Sequence, residues 1–262
     1  MFKQILRNFL FLVSIAIFGQ LAHAAEIKVI TSGGLAAAFD ELRPGFEEKT
    51  GHHVLTAYGS SMGGAPDSIH SRLDKGETAD VLLLASAGVD DLIQKGKIVP
   101  GTRVDLVRSL IGAAVKKGGK HYDISTVQAL KKSLMEATSV AYSASASGTY
   151  LSTELFKKLG LEEEMKVKAK RIVSERVGTV IARGDAELGF QQVSELLPIA
   201  SIDYLGPIPL EVQQMVFFSA GIASSSTQQQ LAKELIEYLA SPEAAPTLRK
   251  YGLDPLLPVI KF

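Results

Sequence analysis

Hydroxyl-bearing residues and glycines cluster at three places in this sequence: Thr31-Ser32-Gly33-Gly34, Tyr58-Gly59-Ser60-Ser61 and the run from Ser143 to Tyr150. Each follows a strand-like run (27–30, 54–57 and 139–142) and precedes a helix-like one. A helix N-terminus leaves backbone N–H groups without intrahelical partners, so a hydroxyl-rich loop at such a junction can hold an anion. One serine in this position is an ordinary N-cap. Three loops at matching positions point instead to a shared ligand. The candidate donors are Ser32, Gly33 and Gly34 in the first loop, Ser60 and Ser61 in the second, and Ser147, Gly148 and Thr149 in the third.

Other residue types qualify or extend this set. Gly59-Ser60-Ser61-Met62-Gly63 fits the G-x-S-x-G pattern of a serine nucleophile elbow, with Ser61 as the nucleophile. That chemistry needs a base, and the only histidines after Ser61 are His70 and His121; a serine hydrolase is the distant alternative. His52 and His53 are neighbours on a strand, point to opposite faces and do not share a metal readily, so no metal site is expected. Arg176, at the start of a helix with Val177, could fork a carboxylate. Gln191 and Gln192 end a strand, and alternation turns one of them toward a ligand.

The elements that position these residues alternate. Strand 26–30, a helix bearing Leu35, Phe39, Leu42 and Phe46 on one face, strand 52–57, a helix ending near Leu73 and the apolar strand 79–85 form an α/β pattern with a mostly parallel sheet. An apolar strand at 110–115 crosses into a second unit. There follow helix 125–135, the strand and serine loop, helix 150–159, strand 170–173, helix 177–183, strand 188–192 and helix 194–197. Residues 205–209 read as a turn-rich linker, 212–220 as a strand returning to the first unit, and 228–240 as an amphipathic helix. Two crossings between two lobes make a hinged cleft, and ligands in such folds collect at the carboxyl ends of strands. The expected lobes are 25–110 plus 206–262 and 111–205.

Composition narrows the classes. With 28 basic and 28 acidic residues and no charge run, nothing marks a nucleic-acid partner. The absence of cysteine excludes disulfides, thiolate metal sites and a cysteine nucleophile. Lys3 and Arg7, the apolar run from Phe9 to Phe18 and Ala22-His23-Ala24 read as a secretory signal, residues 1–24, cleaved after Ala24. A periplasmic location is the expectation.

Ile27-Lys28-Val29-Ile30, Tyr58-Gly59-Ser60-Ser61, Gly76-Glu77-Thr78-Ala79-Asp80-Val81, Ala146-Ser147-Gly148-Thr149-Tyr150, Leu188-Gly189-Phe190 and Ser241-Pro242-Glu243-Ala244-Ala245 together resemble the periplasmic molybdate-binding proteins of ABC importers. The resemblance covers almost all of the chain beyond residue 24. It implies a two-lobed, type II periplasmic-binding fold that closes on a small oxyanion with neutral hydroxyl and N–H donors. By position these are Ser60 or Ser61, the 147–148 backbone and the backbone near Val177. In the family a serine stands where this chain has Gly34, and a tyrosine that reaches the anion falls at Gln192. The resulting expectation is a monomeric binding protein that does no chemistry and needs no cofactor. It would deliver a small anion, molybdate-like or alternatively an organic carboxylate, to an inner-membrane ABC permease.

Overall fold

In strand β1 (Glu26–Ser32), Ile27 and Val29 are buried while Glu26 and Lys28 face out, as alternation dictates. Helix α1 (Gly33–Thr50) returns across the sheet and buries Leu35, Phe39, Leu42 and Phe46. Each such side chain contributes roughly 1.5–3 kcal/mol. Gly51 ends the helix at φ 72°, a left-handed conformation suited to glycine, with its N–H on the Glu47 carbonyl. These are features of a computed structural model that describes residues 24–62, 65–258, 260 and 262. All but the last residue of the expected signal segment lies outside the described residues.

Strand β2 (His53–Gly59) pairs parallel with β1, and Ser32 lies opposite Gly59. After helix α2 (Ile69–Asp74), strand β3 (Val81–Ala85) pairs with the other side of β1 and is buried at every residue. Helix α3 (Ser86–Gln94) follows, then β4 (Val104–Ser109). Leu110 separates β4 from β5 (Ile111–Lys116), the first strand of a second sheet.

The second lobe holds α4 (Val127–Glu136), β6 (Val140–Ser143) and a helix α5 over residues 146–158 with a π turn at Leu151–Leu155. Next come α6 (Glu162–Lys168), β7 (Ala169–Ile172), α7 (Val177–Arg183), β8 (Leu188–Gln192), α8 (Val193–Leu196) and β9 (Ile202–Pro207). Strand β10 (Val216–Ile222) re-enters the first sheet, and α9 (Gln229–Leu239), α10 (Ala245–Lys250) and β11 (Leu253–Pro255) complete it. Among the described residues the sheet orders are β11-β4-β10-β3-β1-β2 and β7-β6-β8-β5-β9. Buried clusters lie on both faces of each sheet, so both faces are sealed by helices.

The molecule is the expected two-lobed α/β architecture with two crossings, but its sheets are mixed rather than mostly parallel. Parallel pairing is confined to β1 with β2 and β3, and to β6 with β7 and β8. The returning strand β10 runs antiparallel to both β3 and β4, and β5 runs antiparallel to β8 and β9. The stretch read as a linker at 205–209 lies largely within β9. That strand is at the sheet edge, where proline is tolerated, and a register shift at Ala113/Ala114 accommodates Gly206 at φ 119°. The expected lobe boundary at residue 205 therefore falls inside a second-lobe strand. Gln213 braces the crossing: its Oε1 accepts the Ile111 N–H at 2.9 Å, and its Nε2 donates to the Ile111 carbonyl at 3.0 Å.

Candidate functional site

The carboxyl ends of β1 and β2 face those of β6, β7 and β8 across a cavity of about 180 Å³. Of the residues expected to bind ligand, Gly33, Gly34, Ser60, Ser61, Arg176 and Gln192 border it. Ser32, Ser147, Gly148, Thr149 and Val177 do not. Ser32 is the N-cap residue of α1, yet its buried hydroxyl has no partner among the described residues. The third loop departs most from expectation, because α5 begins at Ala146 rather than near Tyr150. Ser147 and Gly148 are thereby drawn into the first helical turn and buried. The Ser147 hydroxyl lies 3.1 Å from that of Ser143, and a β-carbon on Gly148 would sit 1.6 Å from the Ser143 carbonyl oxygen. Thr149 Oγ1 donates to the Ser145 carbonyl and borders a neighbouring groove with Met62 and Phe217. Val177 is core, and its N–H, an expected ligand donor, goes to Gln191 Oε1 at 2.9 Å.

The hydrolase assembly does not form around Ser61. Among the described residues the first helix after β2 is α2, which starts only at Ile69. Ser61 Oγ accepts the Ala85 N–H at 2.9 Å. His70 Nε2 faces Asp91 at 2.9 Å, and its buried Nδ1 has no partner among the described residues, so no serine–histidine bond forms among them. The adjacent histidines part as expected: His52 Nδ1 accepts the Ala25 N–H, and His53 pairs with Glu47 at 2.9 Å.

The second lobe supplies the polar floor. Arg176 is the N-cap residue of α7 and half-buried at the cavity wall. Its neighbour Glu175 is held by both terminal nitrogens of Arg183 rather than by Arg176. Among the described residues Arg176 forms no salt bridge. Gln191 and Gln192, at the carboxyl end of β8, both border the cavity. Gln192 is 2% exposed, and neither its Oε1 nor its Nε2 has a hydrogen-bond partner among the described residues. A buried, unpartnered amide in a cavity wall is costly unless a ligand satisfies it.

Glu195 is the residue that sequence reasoning missed. It sits on the one-turn helix α8, 8% exposed, with Oε1 accepting from Gln191 Nε2 at 2.8 Å. Its Oε1 occupies the space in front of Gly33, where a β-carbon would lie only 2.1 Å away. Burial pushes this carboxyl up to about 7, against the opposing pull of Arg176 and the Gln191 bond. The available signal was that Glu195 is the only acid between Leu188 and Ser201, in an otherwise uncharged stretch. Across the cleft mouth, Ser174 Oγ donates to Asp67 Oδ1 at 2.6 Å and ties the lobes together. Tyr58, on the first-lobe side, has its hydroxyl pushed up to about 12 by burial and by its bond to Asp40.

The site can thus hold a small acid by one guanidinium, an amide, hydroxyls and backbone N–H groups, next to a buried carboxyl able to change protonation state. Comparison with known proteins agrees with the architecture and extends the chemistry. The bacterial extracellular solute-binding protein family matches residues 27–254. An aconitate isomerase from Pseudomonas sp is 42% identical over 230 residues, covering 88% of this chain and 88% of that protein. The molybdate-binding protein ModA of Azotobacter vinelandii is 27% identical, covering 88% of this chain and 90% of its own. The solved structure of the Azotobacter vinelandii periplasmic molybdate-binding protein superimposes with a TM-score of 0.71 at 21% identity, over 89% of this chain and 100% of that one. The expectation of a chain that does no chemistry is overturned by the first of these relatives, which carries the name of an enzyme. The likeness to the molybdate-binding structure supports the two-lobed fold, and with the family match spanning most of its length the chain belongs to the bacterial extracellular solute-binding proteins.

Proposed function

We propose that this protein closes on a small polycarboxylate between its lobes and isomerises aconitate. The observation that carries the reading is that Arg176, which forms no salt bridge among the described residues, and the buried carboxyl of Glu195 border one cavity. A carrier of a tetrahedral oxyanion gains nothing from a second negative charge beside its ligand. An isomerase that moves a proton along a carbon chain requires such a group. The relative named aconitate isomerase, at 42% identity, supports the same choice.

The chemistry needs no oxidant or reductant. Aconitate carries one carbon–carbon double bond, one methylene and three carboxylates. Loss of a methylene proton lets the C–H electron pair become a new double bond to the central carbon. The old π pair passes to the far carbon, stabilised by its carboxylate, and a proton returns there. The terminal carbons exchange roles, and the orientation of the acid's arms fixes whether the product is cis or trans. Arg176 and the Gln192 amide would hold carboxylates and offset the charge that spreads during the shift. Lobe closure would exclude water.

A second reading, transport of an oxyanion to a membrane permease, is favoured by the hydroxyls and backbone groups of the first-lobe rim and by the molybdate-binding relative. The two readings separate in one experiment. Purified protein is melted with cis-aconitate, trans-aconitate, citrate, molybdate and sulfate, and each aconitate isomer is followed by proton NMR. A stabilising ligand raises the melting temperature by mass action. Stabilisation by aconitate with interconversion of its isomers is the expected result. Stabilisation by molybdate alone, without isomerisation, would transfer the assignment to transport.

A further inference from the structure

We infer that Glu195 is the catalytic acid and base of the proposed isomerisation, its carboxyl carrying the migrating proton from one terminal carbon of the bound acid to the other. The inference rests on the aconitate reading of the cleft and assigns its central step to a residue. Three acids border the cavity: Asp67, Glu175 and Glu195. Asp67 is tied to Ser174 and Glu175 to Arg183; Asp67 is half-buried and Glu175 exposed. Glu195 alone is buried.

Its carboxyl is also aimed. The Val177 N–H fixes Gln191 Oε1, so the Gln191 amide must present Nε2 to Glu195 Oε1. Gly33 lets Oε1 approach the first turn of α1 by lacking a side chain. Glu195 Oε2 accepts no hydrogen bond among the described residues and remains for the substrate. One oxygen is therefore held and the other is available, the arrangement a single shuttle needs. The step balances on this group alone: the carboxylate takes the methylene proton, becomes the carboxylic acid, and returns one proton to the former vinylic carbon, with part of the acid's proton traded for solvent hydrogen between the two transfers. Burial favours the neutral acid and Arg176 the carboxylate, so both forms are within reach near neutral pH. The other ionisable groups that share this cavity are Tyr58, Asp67, Glu175 and Arg176.

The test compares wild type, Glu195→Gln and Glu195→Asp. Isomerisation of aconitate is read by proton NMR, ligand binding by thermal shift, and exchange of hydrogen on the saturated carbon beside the double bond by NMR in deuterium oxide with aconitate, glutaconate and citraconate. The expected result is loss of isomerisation by at least 100-fold in Glu195→Gln with aconitate still bound. At least a tenfold loss is expected in Glu195→Asp, which withdraws the carboxyl by one methylene. Isomerisation within tenfold of wild type in Glu195→Gln would overturn the inference and leave the aconitate reading standing. Should Glu195→Gln not fold, an unchanged rate in Glu195→Asp overturns it equally. If wild type does not isomerise aconitate, the reading of the substrate fails. Glu195-dependent exchange with another acid of the panel would then still uphold the proton shuttle, and no exchange with any of them would end it.

Discussion

Gly33→Ala separates the stability of the fold from the placement of Glu195. The added β-carbon would lie 2.1 Å from Glu195 Oε1, whereas such carbons essentially never approach closer than 3.0 Å, so the carboxyl must retreat by at least 0.9 Å. The obstacle is the end of a flexible side chain, and Gly33 is not among the residues at positive φ, so the backbone accepts alanine. Alanine also lowers the entropy of the unfolded chain, by about 0.4–1 kcal/mol in favour of folding. The expected change in unfolding free energy is therefore within about 1 kcal/mol of zero, measured by urea denaturation. Catalysis is less forgiving, since a displacement of about 1 Å of an aimed group costs on the order of 100-fold. The variant should keep its melting behaviour and lose roughly two decades of isomerisation rate, read by NMR on trans-aconitate. A fully active and stable Gly33→Ala protein would refute the claim that the position of Oε1 matters.

Other perturbations address the frame around this group. Gly148→Ala drives a β-carbon to 1.6 Å from the Ser143 carbonyl, which is backbone and cannot swing aside. A cost of about 3 kcal/mol and a fall in melting temperature of roughly 6–12 °C are expected by calorimetry. Arg176→Ala removes the one guanidinium that borders the cavity; aconitate affinity should fall by roughly 10- to 150-fold in isothermal titration, as for loss of a charged hydrogen bond of about 1.5–3 kcal/mol. Asp67→Ala removes the bond from Ser174 that joins the lobes, and the ligand should leave about fivefold faster in stopped-flow release, as for a partly exposed bond of about 1 kcal/mol. Glu195 also gives stability a pH dependence. Its folded-state value of about 7 lies above the ordinary 4.5, so between these values the folded state holds a proton that the unfolded state has lost, and stability falls as pH rises through that window. Replacing the group by Gln should remove this slope, leaving the variant nearly equal to wild type at pH 4 and more stable by roughly 3 kcal/mol at pH 8 without ligand.

What could be read from the sequence divides along a physical line. Helix α7 and strand β8 follow from local signals. Apolar spacing marks each element, and Gly184 at φ 86° ends the helix. The two lobes follow from the alternation of strands with helices and from the apolar run across Leu110. The third serine loop did not follow, because its fate depends on tertiary contacts. Ser143 bonds Ser147 and receives Gly148 against its carbonyl, and that packing starts the helix at Ala146. Strand β9 was hidden for a similar reason. Leu-Gly-Pro reads as a turn unless an edge position and a bulge accept it. The pattern of hydroxyls and glycines located the cleft but not all of its lining, since a serine beside a helix start faces either a ligand or its own strand, and only packing decides which.

Glu195 escaped notice because an acid in a four-residue helix has no local signature; its meaning comes from being buried opposite Arg176. That placement makes the two candidate activities of this fold respond to one substitution in different ways. In an anion carrier, the Glu195 carboxylate is a repulsive neighbour of the ligand, and Glu195→Gln relieves it, so affinity rises and nothing else changes. In an isomerase the same change also relieves repulsion of a polycarboxylate, but it removes the group that accepts the proton. Binding should then hold or tighten while turnover collapses, a divergence that damage to the fold cannot imitate, because misfolding weakens both together. The carrier frame thus becomes the control for the chemistry: on the proposed reading Arg176, Gln192 and the first-lobe donors, which border the cavity, should still grip the acid in the variant, and the missing carboxyl should be reported by the rate alone.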